Sequence, residues 1–124
     1  MPKLYILSAF SLSMIPYRGW IHLYLSNISP EEARRIIDEA QLKGREVVSA
    51  VEHPGAAQLL TELIGRKIEA NRIMVELHDG DEAIVLQLMA RLPEGRALSR
   101  EELQKLYSDG KIKLLHVILS TKFW

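Results

Sequence analysis

Along the chain, short runs of β-branched and aromatic residues take turns with stretches whose apolar residues recur at helical spacing. Lys3 to Leu7 and Trp20 to Leu25 read as strands. Between them, Ser8 to Met14 mixes hydroxyl-bearing and apolar side chains as a partly buried loop does, and Pro16 and Gly19 punctuate the rest of that connection. Ser29-Pro30-Glu31-Glu32 carries three agreeing helix-start signals: a capping hydroxyl, a proline at the first position, and a glutamate three residues on. The helix is predicted to run to about Lys43, with Ala33, Ile36, Ile37, Ala40 and Leu42 on one stripe and Gly44 ending it. Val47 to Val51 predicts a strand, and Leu59, Leu60, Leu63 and Ile64 predict a helix opening at Pro54.

Arg72 to Leu77 has the alternation of a further strand, and His78-Asp79-Gly80-Asp81 that of a hairpin turn. Glu82 to Ala90 is the longest apolar run and suits an inner strand buried on both faces. Ser99-Arg100-Glu101-Glu102 repeats the capping pattern and opens a helix to about Ser108, after which Lys111 to Leu119 forms the closing strand. This order predicts an α/β (α+β) fold: a mixed sheet of roughly five to six strands flanked by about three helices. Thr121 to Trp124 reads as a loose tail or a contact between copies.

Composition narrows the classes. At 124 residues the chain suits one domain spanning 1–124, able to bury a core without metals or disulfides. It has no cysteine, so thiolate metal sites and disulfides are excluded and a reducing compartment is permitted. The apolar run Leu4 to Ile15 is interrupted by serines, lacks a basic region with a cleavage site, and is too short to span a bilayer, so no membrane association is expected. Sixteen basic and sixteen acidic residues cancel, which argues against a broad footprint for long nucleic acid; a nucleic-acid ligand would be small and locally gripped.

The chain is organised around Arg45 to Gly65, where a histidine sits at the passage from strand to helix. Pro54 has no N–H to lose at a first helical position, and Gly55, Ala56 and Ala57 bring little bulk to a turn whose N–H groups remain unpaired. An anion can approach such a backbone closely. The bland alternative is that His53 ends a strand and caps a helix. His22 and His116 read as edge and structural residues. His78, Asp79 and Asp81 crowd one turn, but no second cluster completes a ligand set, so no metal is expected there. Gln87, the polar residue inside the apolar run, needs a hydrogen-bond partner if buried, either a neighbour or a ligand. The Pro/Gly-marked loop Arg91-Leu92-Pro93-Glu94-Gly95-Arg96 comes after that strand with two arginines and a glutamate.

Three segments together carry a resemblance: Ala9-Phe10-Ser11; His53 followed by Gln58-Leu59-Leu60 and Asn71-Arg72; and Gln87-Leu88 followed by Arg91-Leu92-Pro93-Glu94-Gly95. In order and spacing they resemble the viral anti-CRISPR ring nucleases of type III systems and their cellular relatives, from Leu4 to Ile118. The resemblance implies a metal-independent, cofactor-free homodimer in the cytoplasm, the host's if the source is viral. Such an enzyme cleaves cyclic tetra-adenylate into two linear di-adenylates, the ring lying across the two-fold axis. The ribose 2′-hydroxyl attacks its own phosphate and leaves a 2′,3′-cyclic phosphate.

The resemblance assigns His53 as general acid for the departing 5′-oxygen. A helix N-terminus disfavours imidazolium and bound phosphates favour it, so the ligand itself would help charge the ring. Arg72 and Arg91 match basic positions suited to bidentate phosphate contacts. Glu94 matches an acidic residue that orients an arginine, bonds a ribose or base, or assists proton transfer. Ser11 matches a ligand-contacting hydroxyl, Gln87 is placed on a base or phosphate, and Ser8, Gly55 and Ala56 line the same ligand. The segment from Arg91 to Leu98 would form a lid.

Ser8, Glu52 and Ala56 depart from the family's usual Asn, Gly and Thr; Glu52 costs little if it faces away from His53. The competing readings are a sponge that binds the ring uncut and a dimeric interaction module without a nucleotide.

Overall fold

Ser29 and Ser99 each start a helix by the same reciprocal pair of hydrogen bonds. The Ser29 hydroxyl accepts from the Glu32 N–H at 3.0 Å while the Glu32 carboxylate accepts from the Ser29 N–H at 3.1 Å. Ser99 and Glu102 repeat the exchange at 3.1 and 3.0 Å. In the computed structural model, which describes residues 1–91 and 98–122, these caps open helices α1 (Pro30–Leu42) and α3 (Arg100–Ser108). Between them lies α2 (Pro54–Ile64), whose end at Gly65 needs the left-handed backbone (φ 81°) that glycine adopts freely. The five strands are β1 (Leu4–Leu7), β2 (His22–Ile28), β3 (Val47–Ser49), β4 (Glu82–Leu88) and β5 (Ile112–Ser120).

The strands form one mixed sheet in the order β2-β5-β4-β1-β3. β1 runs parallel to β3 and to β4, with Ile6 opposite both Ser49 and Ile84. β5 is antiparallel to β4 and to β2. The expected inner strand is therefore central, and Ala83, Ile84, Val85 and Leu86 are all buried. Strand alternation sorts the side chains into two cores. Leu4, Ile6, Ile84 and Leu86 join Ala33, Ile37, Leu60 and Leu103 beneath the helices. Tyr5, Leu7, Ala83 and Val85 face the other way and are covered by Phe10, Met14 and Ile15 with Val75 and Leu77. Helices thus cover one face and irregular chain the other, a mixed α+β fold.

Residues 72–77 do not form the expected strand. Their alternation is real, since Val75 and Leu77 are buried and Met74 and Glu76 exposed, but both neighbours of β1 are already taken by β3 and β4. The segment instead packs on the helix-free face, where the Leu77 N–H donates to the Met14 carbonyl at 2.7 Å. His78 to Asp81 consequently turns the chain without closing a hairpin between paired strands. β2 begins two residues later than expected and extends through Ser26-Asn27-Ile28, because pairing with His116, Leu115 and Leu114 outweighs the weak strand preference of Ser and Asn. Leu42 is almost fully exposed, off the apolar stripe of α1.

Candidate functional site

The parallel strands β1, β3 and β4 all finish at one edge of the sheet, so the chain leaving each carries its next side chains to a common end. In α/β sheets the crevice beyond the carboxyl ends of parallel strands is where ligands collect. Ser8 and Ser11 follow β1, His53 follows β3, Gln87 stands at the end of β4, and Arg91 comes three residues after it. The sequence scatters these residues over more than eighty positions; the topology gathers them. Ser8 is half-buried, and Ser11, Gln87 and Arg91 are exposed.

His53 is the N-cap residue of α2 with extended backbone (φ −109°, ψ 134°), and its side chain makes no capping hydrogen bond. The histidine fills the cap position without doing the cap's side-chain task, and the ring is exposed. Val51, two residues earlier, belongs to the helix-side core and Ala50 to the opposite one. By the same alternation Glu52 lies on the face away from His53, the arrangement in which its charge costs least. The first intrahelical bond runs from the Ala57 N–H to the His53 carbonyl at 3.1 Å, which leaves the Gly55 and Ala56 N–H groups without helical partners. A side chain at Gly55 would meet nothing within 4 Å, so the fold itself does not demand a glycine there. Ala56 is half-buried against the helix-side core.

Arg72 reaches this end by a strap that sequence reading treats only as a connection. The Ser49 hydroxyl donates to the Glu69 carbonyl at 2.6 Å, the Asn71 side-chain amide donates to the Ser49 carbonyl at 2.8 Å, and the Asn71 N–H donates to the Val51 carbonyl at 2.7 Å. Ala70 forms a parallel bridge with Val51, so the strap leaves the sheet in the direction in which β3 leaves it for His53. Arg72 comes immediately after and is exposed. On the β1 side, the Ser11 hydroxyl caps a short 3-10 turn over Leu12–Met14, accepting from the Ser13 N–H at 3.3 Å and sharing a hydrogen bond with the Ser13 hydroxyl at 2.9 Å. Gln87 is exposed and has no side-chain hydrogen bond among the described residues, which leaves its amide open to a ligand. Glu94 and residues 92–97 of the expected lid lie outside the described residues.

Exposed apolar residues interleave with these polar ones. Leu12 adjoins Ser11, Ile73 and Met74 adjoin Arg72, and Leu88 and Met89 adjoin Gln87; Met74 is 98% exposed.

The opposite end of the sheet is tied down by charge. Glu82, at the start of β4, pairs with Arg45 and with His116, whose Nε2 lies 2.6 Å from Oε1. The His116 hydrogen bond, opposed by burial and aided by Arg45, holds the Glu82 carboxyl below its usual range. Arg45 also donates to the Pro2 and Gly80 carbonyls at 2.9 and 3.0 Å. The buried Asp81 accepts from the Lys3 and His78 N–H groups, both at 2.8 Å. Asp79 accepts from the Thr121 N–H at 2.8 Å, a bond that lowers its pKa and pins the start of the C-terminal segment. The acids of this turn therefore face backbone donors, and among the described residues no three His, Cys, Asp or Glu side chains gather as a metal site would need.

Among the described residues no helix is long and apolar enough to cross a membrane. The fold is shared with B116 of Sulfolobus turreted icosahedral virus, at a TM-score of 0.83 and 27% identity over 94% of this chain and 98% of that one. In sequence the chain is 40% identical over 75 residues to the uncharacterised protein ORF116 of Acidianus filamentous virus 1, a match that takes in 60% of this chain and 65% of that protein. It is 31% identical over 104 residues, 83% of each chain, to the uncharacterised protein 26 of a Sulfolobus islandicus filamentous virus. The relatives are thus proteins of viruses. The sequence pattern of the STIV B116-like family matches residues 4–114, and the chain belongs to that family.

Proposed function

We propose that this chain is a ring nuclease that cleaves cyclic tetra-adenylate without a metal and so switches off type III CRISPR signalling. The observation that carries the reading is His53: an exposed imidazole at the N-cap of α2, unused by the cap, beside two open backbone N–H groups at the carboxyl ends of the parallel strands. The substrate brings its own nucleophile. A ribose 2′-oxygen bonds to the adjacent phosphorus, its proton passes to water, the bond to the 5′-oxygen breaks, and His53 hands that oxygen a proton. The enzyme has to align this attack and stabilise charge on the phosphate. The Gly55 and Ala56 N–H groups and the guanidinium groups of Arg72 and Arg91 supply donors for that charge.

Two such cuts in one ring call for two histidines, hence a homodimer with the ring across its two-fold axis. The exposed Leu12, Ile73, Met74, Leu88 and Met89 beside the polar site residues support the pairing, since a surface of this kind gains by being covered by adenine rings or a second copy. Glu94 enters as an orienting or proton-transfer group on the strength of the sequence resemblance alone.

The test is incubation of the purified protein with cyclic tetra-adenylate in EDTA beside a His53→Ala variant. Di-adenylate with a 2′,3′-cyclic phosphate end is expected from the parent, with at least about a hundredfold loss in the variant. A ring that stays intact yet raises the melting temperature identifies a sponge instead. A ring neither bound nor cut refutes the proposal and leaves a dimeric interaction module.

A further inference from the structure

Beside the start of α2 lies a groove of about 420 Å³ that no catalytic step above uses. Its floor is apolar, made by the buried Ala57 and Ile68, with the exposed Pro54 and Ala70 at its rim. Its shape is fixed by the protein's own bonds. The Thr61 hydroxyl donates to the Ala57 carbonyl at 2.8 Å and accepts from the Ile68 N–H at 2.9 Å, fastening residue 68 to the helix. The Val51–Ala70 bridge and the bond from Ser49 to the Glu69 carbonyl fasten the rest. Around this floor stand Gln58, Lys67 and Glu69, all exposed and none held by another side chain among the described residues.

An apolar floor rimmed by an amide, a carboxylate and an ammonium suits one ligand class better than others. A bare phosphate meets Glu69, and an aliphatic chain leaves the rim unused. A planar heterocycle carrying an amino group uses all of it. Adenine presents an acceptor at N7 and two hydrogens on its 6-amino group, and a glutamine amide pairs with N7 and one of them. The second hydrogen is left for a carboxylate. Lys67 balances the Glu69 charge beside an anionic ligand. Pro54 lines the groove and directly follows His53, so the groove opens one residue along the chain from the imidazole-bearing position.

We infer that this groove is an adenine subsite, with Gln58 reading the N7 and 6-amino edge and Glu69 accepting the remaining amino hydrogen. The inference rests on the ring-nuclease reading and adds base specificity to it. Hypoxanthine, which replaces the amino group by a keto oxygen, sets an acceptor against the Glu69 carboxylate. A site built to accept from an amino group rejects the analogue lacking it.

The experiment compares cyclic tetra-adenylate with cyclic tetra-inosinate, by cleavage in the parent and by binding in a His53→Ala background where the ring persists. The parent is expected to prefer the adenylate ring by about tenfold or more. Gln58→Ala is expected to weaken adenylate binding about tenfold and to shrink the preference. Glu69→Gln, whose amide can donate to a keto oxygen, is expected to shift the preference toward the inosinate ring, a change of selectivity that loss of folding cannot imitate. Ala70→Leu, which fills the groove from its rim, is expected to weaken both rings. If the parent cuts both rings equally and these variants bind as it does, the subsite is refuted while the ring-nuclease reading stands. If the parent neither binds nor cuts the adenylate ring, both fall together.

Discussion

Replacing Gly55 by alanine separates what the fold asks of this position from what a ligand asks of it. Gly55 is the second residue of α2, its backbone is not left-handed, and an added methyl group meets no atom within 4 Å. With neither strain nor a clash to offset it, alanine gains by restricting the unfolded chain, a stabilisation of about 0.4–1 kcal/mol. For a chain of this length, with an unfolding entropy of about 2.1 cal/mol/K per residue, that is a rise in melting temperature of about 2–4 °C. If a phosphate of the ring sits on the Gly55 and Ala56 N–H groups, the same methyl stands between backbone and anion. Displacement of reacting groups by about 1 Å costs on the order of a hundredfold in rate. The assay pairs a calorimetric melt with single-turnover cleavage of cyclic tetra-adenylate. A variant that is both more stable and at least about tenfold slower supports the reading. One that is more stable and equally fast shows that no ligand approaches this backbone, and one that melts lower refutes the argument from open space.

Arg72→Ala should weaken ring binding by tenfold or more while leaving the melting temperature within about 2 °C, since an exposed side chain away from packing contributes little to stability; titration calorimetry on the His53→Ala background reads it. Asn71→Ala should also weaken binding, but in a double-mutant cycle its effect should largely vanish once Arg72 is gone, because the side-chain bond to the Ser49 carbonyl, which the substitution removes, acts by placing the arginine; full additivity would exclude that role. Ser29→Ala should cost about 1 kcal/mol, read as a lower midpoint in urea, with cleavage unchanged. Glu82 makes the fold sensitive to acid. Its folded-state pKa lies below the ordinary 4.5, so its contribution is complete above that value and is lost as pH falls through the depressed one. Glu82→Gln should therefore lower stability by about 2 kcal/mol at pH 7 and flatten the decline below pH 4.5 in urea titrations; an unchanged decline would place the acid sensitivity elsewhere.

Local signals foretold local structure. The two capping serines, the proline opening α2 and the long apolar run of β4 became the elements their side chains specify, because each is decided by neighbours within a turn or by burial on both faces. Structure that depends on distant partners was not legible. Nothing in residues 72–77 reveals that both sides of β1 are occupied, so their alternation reads as a strand when it is a covering layer. Nothing in Ser26 and Asn27 reveals that β5 will pair with them. For the site, sequence alone singled out His53 by its setting between strand and helix. That Ser8, Ser11, Gln87 and Arg91 lie toward the same sheet edge as His53 comes from three parallel strands ending together, a property of topology. The bonds of Asn71 and Ser49 that deliver Arg72 were invisible, since a short polar connection has no periodicity to read.

The sheet's polarity divides labour in a way that bears on how such proteins diversify. At one end, Arg45, Glu82, His116 and Asp81 knot the chain's beginning, middle and last strand together, and a change to Arg45, Glu82 or Asp81 disturbs at least two partners at once. At the other end, His53, Gly55 and Arg72 are exposed residues outside both apolar clusters. Ser8, Glu52 and Ala56, the positions that depart from the ring-nuclease pattern, stand at that same end and not in the knot. A virus can therefore redraw that exposed end one residue at a time, with stability held at the far end as the reserve that makes the experiments of evolution survivable.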